Sequence, residues 1–370
     1  MKALYGVISD THCHNWTTFG STDVNGVNTR LKIILSEITR AAEEVQAAGG
    51  THLFHAGDLF HVRGSVAPSV LNPTLKCFKD IVNMGITPVI ICGNHDAEFR
   101  EANDLGSAVS ALKGIGCQII NTPTWVGSDS NVLCLPWTAD KKTFLKSLRF
   151  EAPDHEFDVV CHAAFEGVFS HVHGDSCLRP DDIFGSGSVR RVFAGHLHNH
   201  KLIYNKDGHK IYSVGAIAQH NWGDVGSKAG FMLVDENNEQ FIGSNAPQFI
   251  DATPGMSYAD LAMEAEGNYL RVTVDMTEKE VKKYRDELQK LNPKGLTVIC
   301  HTPIEKRVDR IEVKSSESLE ATVDRYINEL MTVNKDRLKE EAQKIMAEVS
   351  ESTTPASRPR LVKAGLVDQP

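Results

Sequence analysis

Apolar residues along this chain fall in short runs that end abruptly on polar, glycine-containing blocks. Residues 3 to 8 (Ala-Leu-Tyr-Gly-Val-Ile) run into Ser9-Asp10, and Thr51-His-Leu-Phe-His55 runs into Gly57-Asp58. Runs this short and continuous predict buried strands. Between them Leu31, Ile34, Leu35, Ile38 and Val45 recur at helical spacing, from Asn28, a residue type suited to an N-cap, to Gly49-Gly50. That is a β-α-β unit, and it repeats. A helix is predicted to start at Asn72-Pro73 with Leu75, Phe78, Ile81 and Val82 on its apolar side; after Gly85 the strand Thr87 to Cys92 leads into Gly93-Asn94-His95-Asp96. Further strands are predicted at 117–120, 131–135, 157–161, 190–194, 202–204, 210–214 and 230–234, with a hairpin signal at Asn205-Lys206-Asp207-Gly208. The fold class is α/β.

After about residue 248 the texture changes. Strands at 269–276, 296–302 and 310–314 with a charged helix at 278–290 describe a separate small α+β module. From Ser318, Leu319, Val323, Ile327, Leu330, Val333 and Leu338 follow helical spacing among dense mixed charge, which predicts a helix or helical hairpin to about Val349. Its apolar stripe suits a partner helix or its own domain equally. Residues 351–370, rich in Ser, Thr, Pro and Arg, have the composition of a disordered tail. The expected division is therefore a large domain over 1–247, a small one over 248–316, a helical segment over 317–350 and the tail.

Composition narrows the class. No apolar run approaches the roughly 20 residues of a membrane span, and Met1-Lys2-Ala3 leads straight into a strand rather than a signal peptide, so a cytoplasmic protein with no membrane attachment is expected. Eight cysteines are scattered without a C-x-x-C pair, several inside strand-like runs, and read as reduced and structural. The formal net charge of −9 argues against coating nucleic acid by bulk electrostatics. It leaves open a nuclease whose bound dications make the site itself locally positive.

The chemistry sits in five blocks at strand ends: Asp10-Thr11-His12, Gly57-Asp58, Gly93-Asn94-His95-Asp96, Cys161-His162 and Gly195-His196-Leu197-His198. In open α/β sheets sites form beyond the carboxyl ends of strands, so the five fragments read as one convergent site. Two carboxylates, one amide oxygen and four imidazoles, without thiolate, suit dications such as Mn²⁺, Fe²⁺ or Zn²⁺, whereas calcium wants oxygens alone. Asp10, His12 and His198 are the candidate donors for one ion, Asn94, His162 and His196 for a second, and Asp58 has two oxygens with which to bridge them. Two such ions activate a shared water for in-line displacement, and hydrolysis of a phosphate ester fits these parts. His95, oriented by the Asp96 carboxylate, is the candidate for protonating the leaving oxygen or stabilising developing charge. Of the other histidines, His14, His52, His55, His155, His200, His209, His220 and His301 read as exposed or hydrogen-bonded structural residues. His171 and His173 lie in a polar loop that either contacts substrate or is simply exposed. Cys13 and Cys161, beside ligands, read as packing residues, and Trp16, Phe99 and Trp222 either stack on bases or pack.

The five blocks resemble the calcineurin-like metallophosphoesterases, and Gly57-Asp58-Leu59-Phe60-His61 followed by Ala67-Pro68-Ser69 is similar to their SbcD branch, the DNA-repair nucleases that include the meiotic-recombination-eleven proteins. Tyr212-Ser213-Val214-Gly215 through Lys228-Ala229-Gly230-Phe231 resembles the hairpin that closes the family's catalytic domain. The likeness spans about 3–235 and, more loosely, 249–315; the short cap and terminal helices resemble recombination endonuclease subunits of tailed bacteriophages. It implies a four-layer α-β-β-α catalytic domain and two Mn²⁺ ions, with Fe²⁺, Zn²⁺ or Mg²⁺ as substitutes. It also implies a phosphate-contacting His61, catalytic His95, DNA as substrate, a homodimer, and an SbcC-type coiled-coil ATPase docked through about 318–349.

Two rival readings stay open. A metallophosphatase or nucleotide phosphodiesterase would keep the metals and change the substrate. Against it, the protein-phosphatase pattern Gly-Asp-x-Val-Asp-Arg-Gly is broken here at His61-Val62-Arg63-Gly64, and only Arg63 and Arg100 lie near the motifs to meet a dianion. A non-catalytic scaffold for DNA or the ATPase would show missing ligands, and none is missing.

Overall fold

Two six-stranded sheets stack face to face. The chain lays down β1 (Tyr5–Ile8), β2 (His52–His55), β3 (Thr87–Ile91) and β4 (Gln118–Ile120) as parallel neighbours. It then builds the second sheet from β5 (Thr124–Val126), β6 (Val132–Leu135), β7 (Phe157–His162), β8 (Val189–Gly195), β9 (Lys201–Lys206) and β10 (His209–Ser213), and returns to the first through β11 (Gly230–Val234) and β12 (Glu239–Gly243). The resulting orders are β12-β11-β1-β2-β3-β4 and β5-β6-β7-β8-β10-β9. This computed structural model describes residues 4–98, 106–127, 132–149, 155–166, 177–185, 188–252, 256–300, 318–329 and 334–352.

Both faces of each sheet are covered, which is why the strands read as unbroken apolar runs. Tyr5, Val7, Phe54, Val89 and Ile91 of the first sheet meet Val132, Val160, Phe193 and Tyr212 of the second. Alternate residues of the first sheet, Ile8, Leu53 and Ile90, face the helices α1 (Thr29–Ala47) and α2 (Pro68–Asn83). On the outer side of the second sheet, α3 (Lys141–Leu148) and α4 (Pro180–Phe184) cover Val159, Cys161, Val192 and Ala194 with Phe144, Leu148 and Ile183. The layering is α-β-β-α, as the resemblance implied.

Asn28 caps α1, its side chain accepting from the N–H groups of Arg30 and Leu31. The second helix departs from expectation: it begins at Pro68, and Pro73 lies inside it. Val70, Thr74, Cys77, Phe78 and Ile81 form one buried face that extends the helix back past Asn72. The N–H that Pro73 lacks would have met the carbonyl of Ser69, an exposed residue that water can serve. Strands β5 and β12 and helices α3 and α4 were not predicted. They are three to eight residues long, too short for a periodic signal. Seven of the eight cysteines are buried free thiols.

Three further parallel strands, β13 (Phe249–Ala252), β14 (Tyr269–Val274) and β15 (Gly295–Cys300), alternate with α5 (Tyr258–Ala265) and α6 (Glu278–Gln289) around a core of Leu261, Ala265, Leu270, Val272 and Leu288. Phe19 stacks on Tyr269 at 5.0 Å between centroids, and Gln219 accepts from the Phe249 N–H at 2.6 Å, fastening this layer beside the strand ends of the sheets. The predicted strand at 310–314 lies outside the described residues. The chain divides into two compact units, Met1–Cys300 and His301–Pro370. The second unit contains α7 (Leu319–Glu329) and α8 (Lys335–Ser352), a hairpin with Leu319, Tyr326, Leu338 and Ile345 exposed. Among the described residues no helix is long and apolar enough to cross a membrane.

Candidate metal centre

The loops leaving β1, β2, β3, β7 and β8 converge on one point. The Asp10 N–H donates to the Gly57 carbonyl and the His12 N–H to that of Asp58, both at 3.0 Å, so the first two loops run side by side. Asp10, His12, Asp58 and His196 all have positive φ, of 47°, 42°, 58° and 97°. For residues other than glycine this left-handed conformation costs of order 1–3 kcal/mol each, and it persists where surrounding structure imposes it, as at functional sites. Glycines make the approach possible. A Cβ on Gly57, itself at φ 96°, would lie 2.4 Å from Nδ1 of His162, and one on Gly93 would lie 2.2 Å from the Asp58 carboxylate.

Two clusters of donor atoms result, each spanning less than 4.8 Å: Asp10, His12 and His198, and Asp58, His162 and His196. The amide oxygen of Asn94 lies 2.9 Å from His162 Nε2 and 3.1 Å from His196 Nδ1, which joins it to the second cluster. Asp58 Oδ2 is 3.5 Å from His162 Nε2 and 3.7 Å from His12 Nε2, between the two clusters. All seven candidate ligands named from sequence are thus assembled. A third grouping brings His12, His61 and His95 together, with the His61 and His95 rings stacked at 5.7 Å.

The hydrogen bonds say what the donor atoms face. His162 gives its Nδ1–H to the Ala56 carbonyl at 2.8 Å, and His198 gives its Nδ1–H to Asp224 at 2.9 Å, so the Nε2 of each turns a lone pair inward. There His198 Nε2 meets His12 Nε2 at 3.2 Å, and His162 Nε2 meets the Asn94 oxygen. Donor atoms packed this closely in a buried place need a proton or a cation among them, and this donor set fits divalent metal.

Without metal, protons do part of that work. Burial opposes charge on His162, but the field and hydrogen bond of Asp58, helped by Asp10, push it up to about 9. Burial likewise acts to raise Asp58, and His162 and His12 override it and hold the carboxyl well below its ordinary range. Burial, then the neighbouring imidazoles, pull His196 and His61 down to about 4.

Asp96 does not orient His95. Its oxygens accept from the backbone N–H groups of Leu59, Phe60 and Gly93, so it braces the loops, and burial with the field of Asp58 pushes it up to about 7. The His95 ring instead meets the His61 carbonyl at 2.7 Å through Nδ1. This corrects the expectation, because a side chain adjacent in sequence after a turn points elsewhere.

Other residues were missed or read as bystanders. Asp224, which holds His198, also accepts from the His220 N–H, and His220 is no remote structural histidine: it is buried, packs 5.1 Å from His12, and bonds the Asp10 carbonyl at 2.8 Å. Arg30, buried under the site, donates to the carbonyls of Gln219 and His220. Trp16 stacks on His220, with the Arg30 guanidinium over its ring, and bonds the His12 carbonyl. Trp222 packs against Phe249 beneath Arg271. Phe99, Arg100, His171 and His173 lie outside the described residues.

A sequence model described as calcineurin-like phosphoesterase matches residues 4–200, more than half of the chain. Exonuclease subunit 1 of Enterobacteria phage T4 is 23% identical over 311 residues, covering 80% of this chain and 86% of that protein. A dimetal phosphatase from Danio rerio superposes with a TM-score of 0.38 at 10% identity, over 66% of this chain and 99% of that one.

Proposed function

The chain belongs to the calcineurin-like phosphoesterases and is a dinuclear metal hydrolase, and from that premise we propose that it is a DNA nuclease that hydrolyses phosphodiester bonds. The observation that carries this reading is the pair of joined donor clusters with His61 and His95 stacked beside them. The likeness to an exonuclease subunit supports the substrate class. So does His61, three residues after Asp58, where the protein-phosphatase pattern Gly-Asp-x-Val-Asp-Arg-Gly has aspartate.

Asp10, His12 and His198 would hold one ion, Asn94, His162 and His196 the other, with Asp58 between them; Mn²⁺ is the ion we favour. When bound, the two dications supply positive charge that polarises a phosphodiester and makes water nucleophilic near neutral pH. Asp224 fixes the ring of His198, and the Ala56 carbonyl that of His162, so that their Nε2 lone pairs face inward. His95 holds its Nδ1–H on the His61 carbonyl, which fixes the ring so that the imidazolium form would present its Nε2–H to the leaving oxygen. His61, half-buried beside it, donates to a phosphate oxygen.

The same reading assigns 1–247 to catalysis and 248–316 to a cap. It places a coiled-coil ATPase of the SbcC type on the helices of 317–350, and includes dimerisation and a role in DNA recombination or repair. The separate core of 249–300 and the exposed apolar residues of α7 and α8 support the assignments.

The test is digestion of single- and double-stranded DNA, labelled at either end, with Mn²⁺ added. His95→Ala should lose about 10²–10⁴-fold in rate, and Asn94→Ala should lose activity together with bound metal. Full activity in both variants would overturn the proposal. Phosphate released from phosphopeptides with DNA ends left intact would replace it with a phosphatase.

A further inference from the structure

We propose that the cleft walled by Trp137 is a nucleobase subsite, in which the base of a nucleotide adjoining the scissile phosphate stacks on the indole. This rests on the nuclease reading above. The cleft, about 310 Å³, is lined by Trp137, Phe144, Ala163 and Leu178, with His196 and Lys141 among its polar groups. That volume is at the small end of ligand clefts, suited to one nucleoside rather than a length of strand.

Its position ties it to the metal cluster. The backbone N–H of Trp137 donates to the Cys92 carbonyl at 2.9 Å, one residue before Gly93-Asn94, which anchors the residue beside the β3 loop. The ring lies 5.2 Å from that of His196 at 31°, and 5.8 Å from that of His162. Whatever fills the cleft therefore touches His196, a side chain proposed to hold metal, beside the phosphate it would engage.

The lining selects the occupant. Among the described residues its one cation, Lys141, is already paired with Asp182 at 2.6 Å, so it offers no unpaired charge to a second phosphate. The remaining walls are mostly apolar and include an aromatic plane. Of the parts of a polynucleotide, the base is flat, has a π face, and sits one sugar from the phosphate; stacking on an aromatic side chain is the usual mode for an unpaired base. A cleft of this kind admits a base only after it leaves the duplex stack, so cleavage should favour single strands and frayed ends.

The test uses the full chain with Mn²⁺ and single-stranded oligonucleotides carrying one tetrahydrofuran abasic residue, moved position by position past a defined cleavage bond. For wild type, removing the base at one position next to that bond should lower kcat/KM about 5- to 150-fold, with little effect elsewhere. Trp137→Ala should lower kcat/KM on the intact strand by a similar factor, and the two losses should not add; Trp137→Phe should recover most of it. A flat abasic profile in wild type overturns the subsite even if Trp137→Ala fails to fold, and so do losses that add at every position. Cleavage with a flat profile removes the subsite alone, whereas no cleavage of any oligonucleotide with any divalent cation removes the nuclease reading and the subsite with it.

Discussion

At the scale of single residues, three imidazoles of the centre each spend one nitrogen on a protein acceptor, and that choice decides what the other nitrogen can do. The acceptors are the Ala56 carbonyl for His162, the His61 carbonyl for His95 and the Asp224 carboxylate for His198. Backbone carbonyls carry no sequence signature, and Asp224 lies 26 positions from His198, so the histidines were legible while their orienting partners were not. Asp224 makes a direct prediction. Asp224→Asn removes the charged acceptor, and divalent cation affinity should fall about 10–100-fold, measured by calorimetric titration or by manganese resonance of the intact chain. Equal affinity in wild type and variant would strike Asp224 from the site.

At the scale of elements, the strands hold the loops in place, and one buried carboxylate ties three strands together. Asp158 on β7 accepts from Tyr5 Oη of β1 at 2.7 Å across the sheet interface, and from both Arg190 and Arg191 of β8. Arg191 is only 3% exposed, and Asp158→Asn would leave it with Glu239 as its remaining carboxylate. Breaking one side of a buried ion pair costs about 3–5 kcal/mol, to be read by denaturant unfolding. Burial by itself would raise the pKa of Asp158, but the two guanidiniums reverse this and hold it below the ordinary value. A depressed carboxyl contributes stability that is present above the unfolded pKa, about 3.9, and is lost as pH falls through the folded value. Wild-type stability should therefore drop below about pH 4, and the variant should lack that component of the fall. The run 157–161 was legible as a buried strand, but not that its single acid gathers partners from 33 and 153 residues away.

At the scale of the whole molecule, the stripe that runs from Ser318 in sequence becomes the hairpin of α7 and α8, with Tyr326 and Ile345 among its exposed apolar side chains. Exposed apolar side chains gathered into one patch mark an interaction face. If the coiled-coil ATPase docks there, Tyr326→Asp combined with Ile345→Asp should abolish its co-purification with the co-expressed protein. Retention of the complex by that variant would place the ATPase dock elsewhere.

The donor set of the centre was readable because its code is local: an apolar run that must be a buried strand, then a glycine that lets two backbones close, then a side chain bearing a lone pair. The same locality exposed the α/β class and the strands that carry the site. Contacts across the fold decided the rest. His220 meets the Asp10 carbonyl from 210 residues away, Trp137 stands against His196 from 59 residues earlier, and Asp96 turns to backbone amides rather than to its neighbour His95. A hydrogen bond or a stacked ring depends on the position of its second partner, and strand order, not chain order, sets that position.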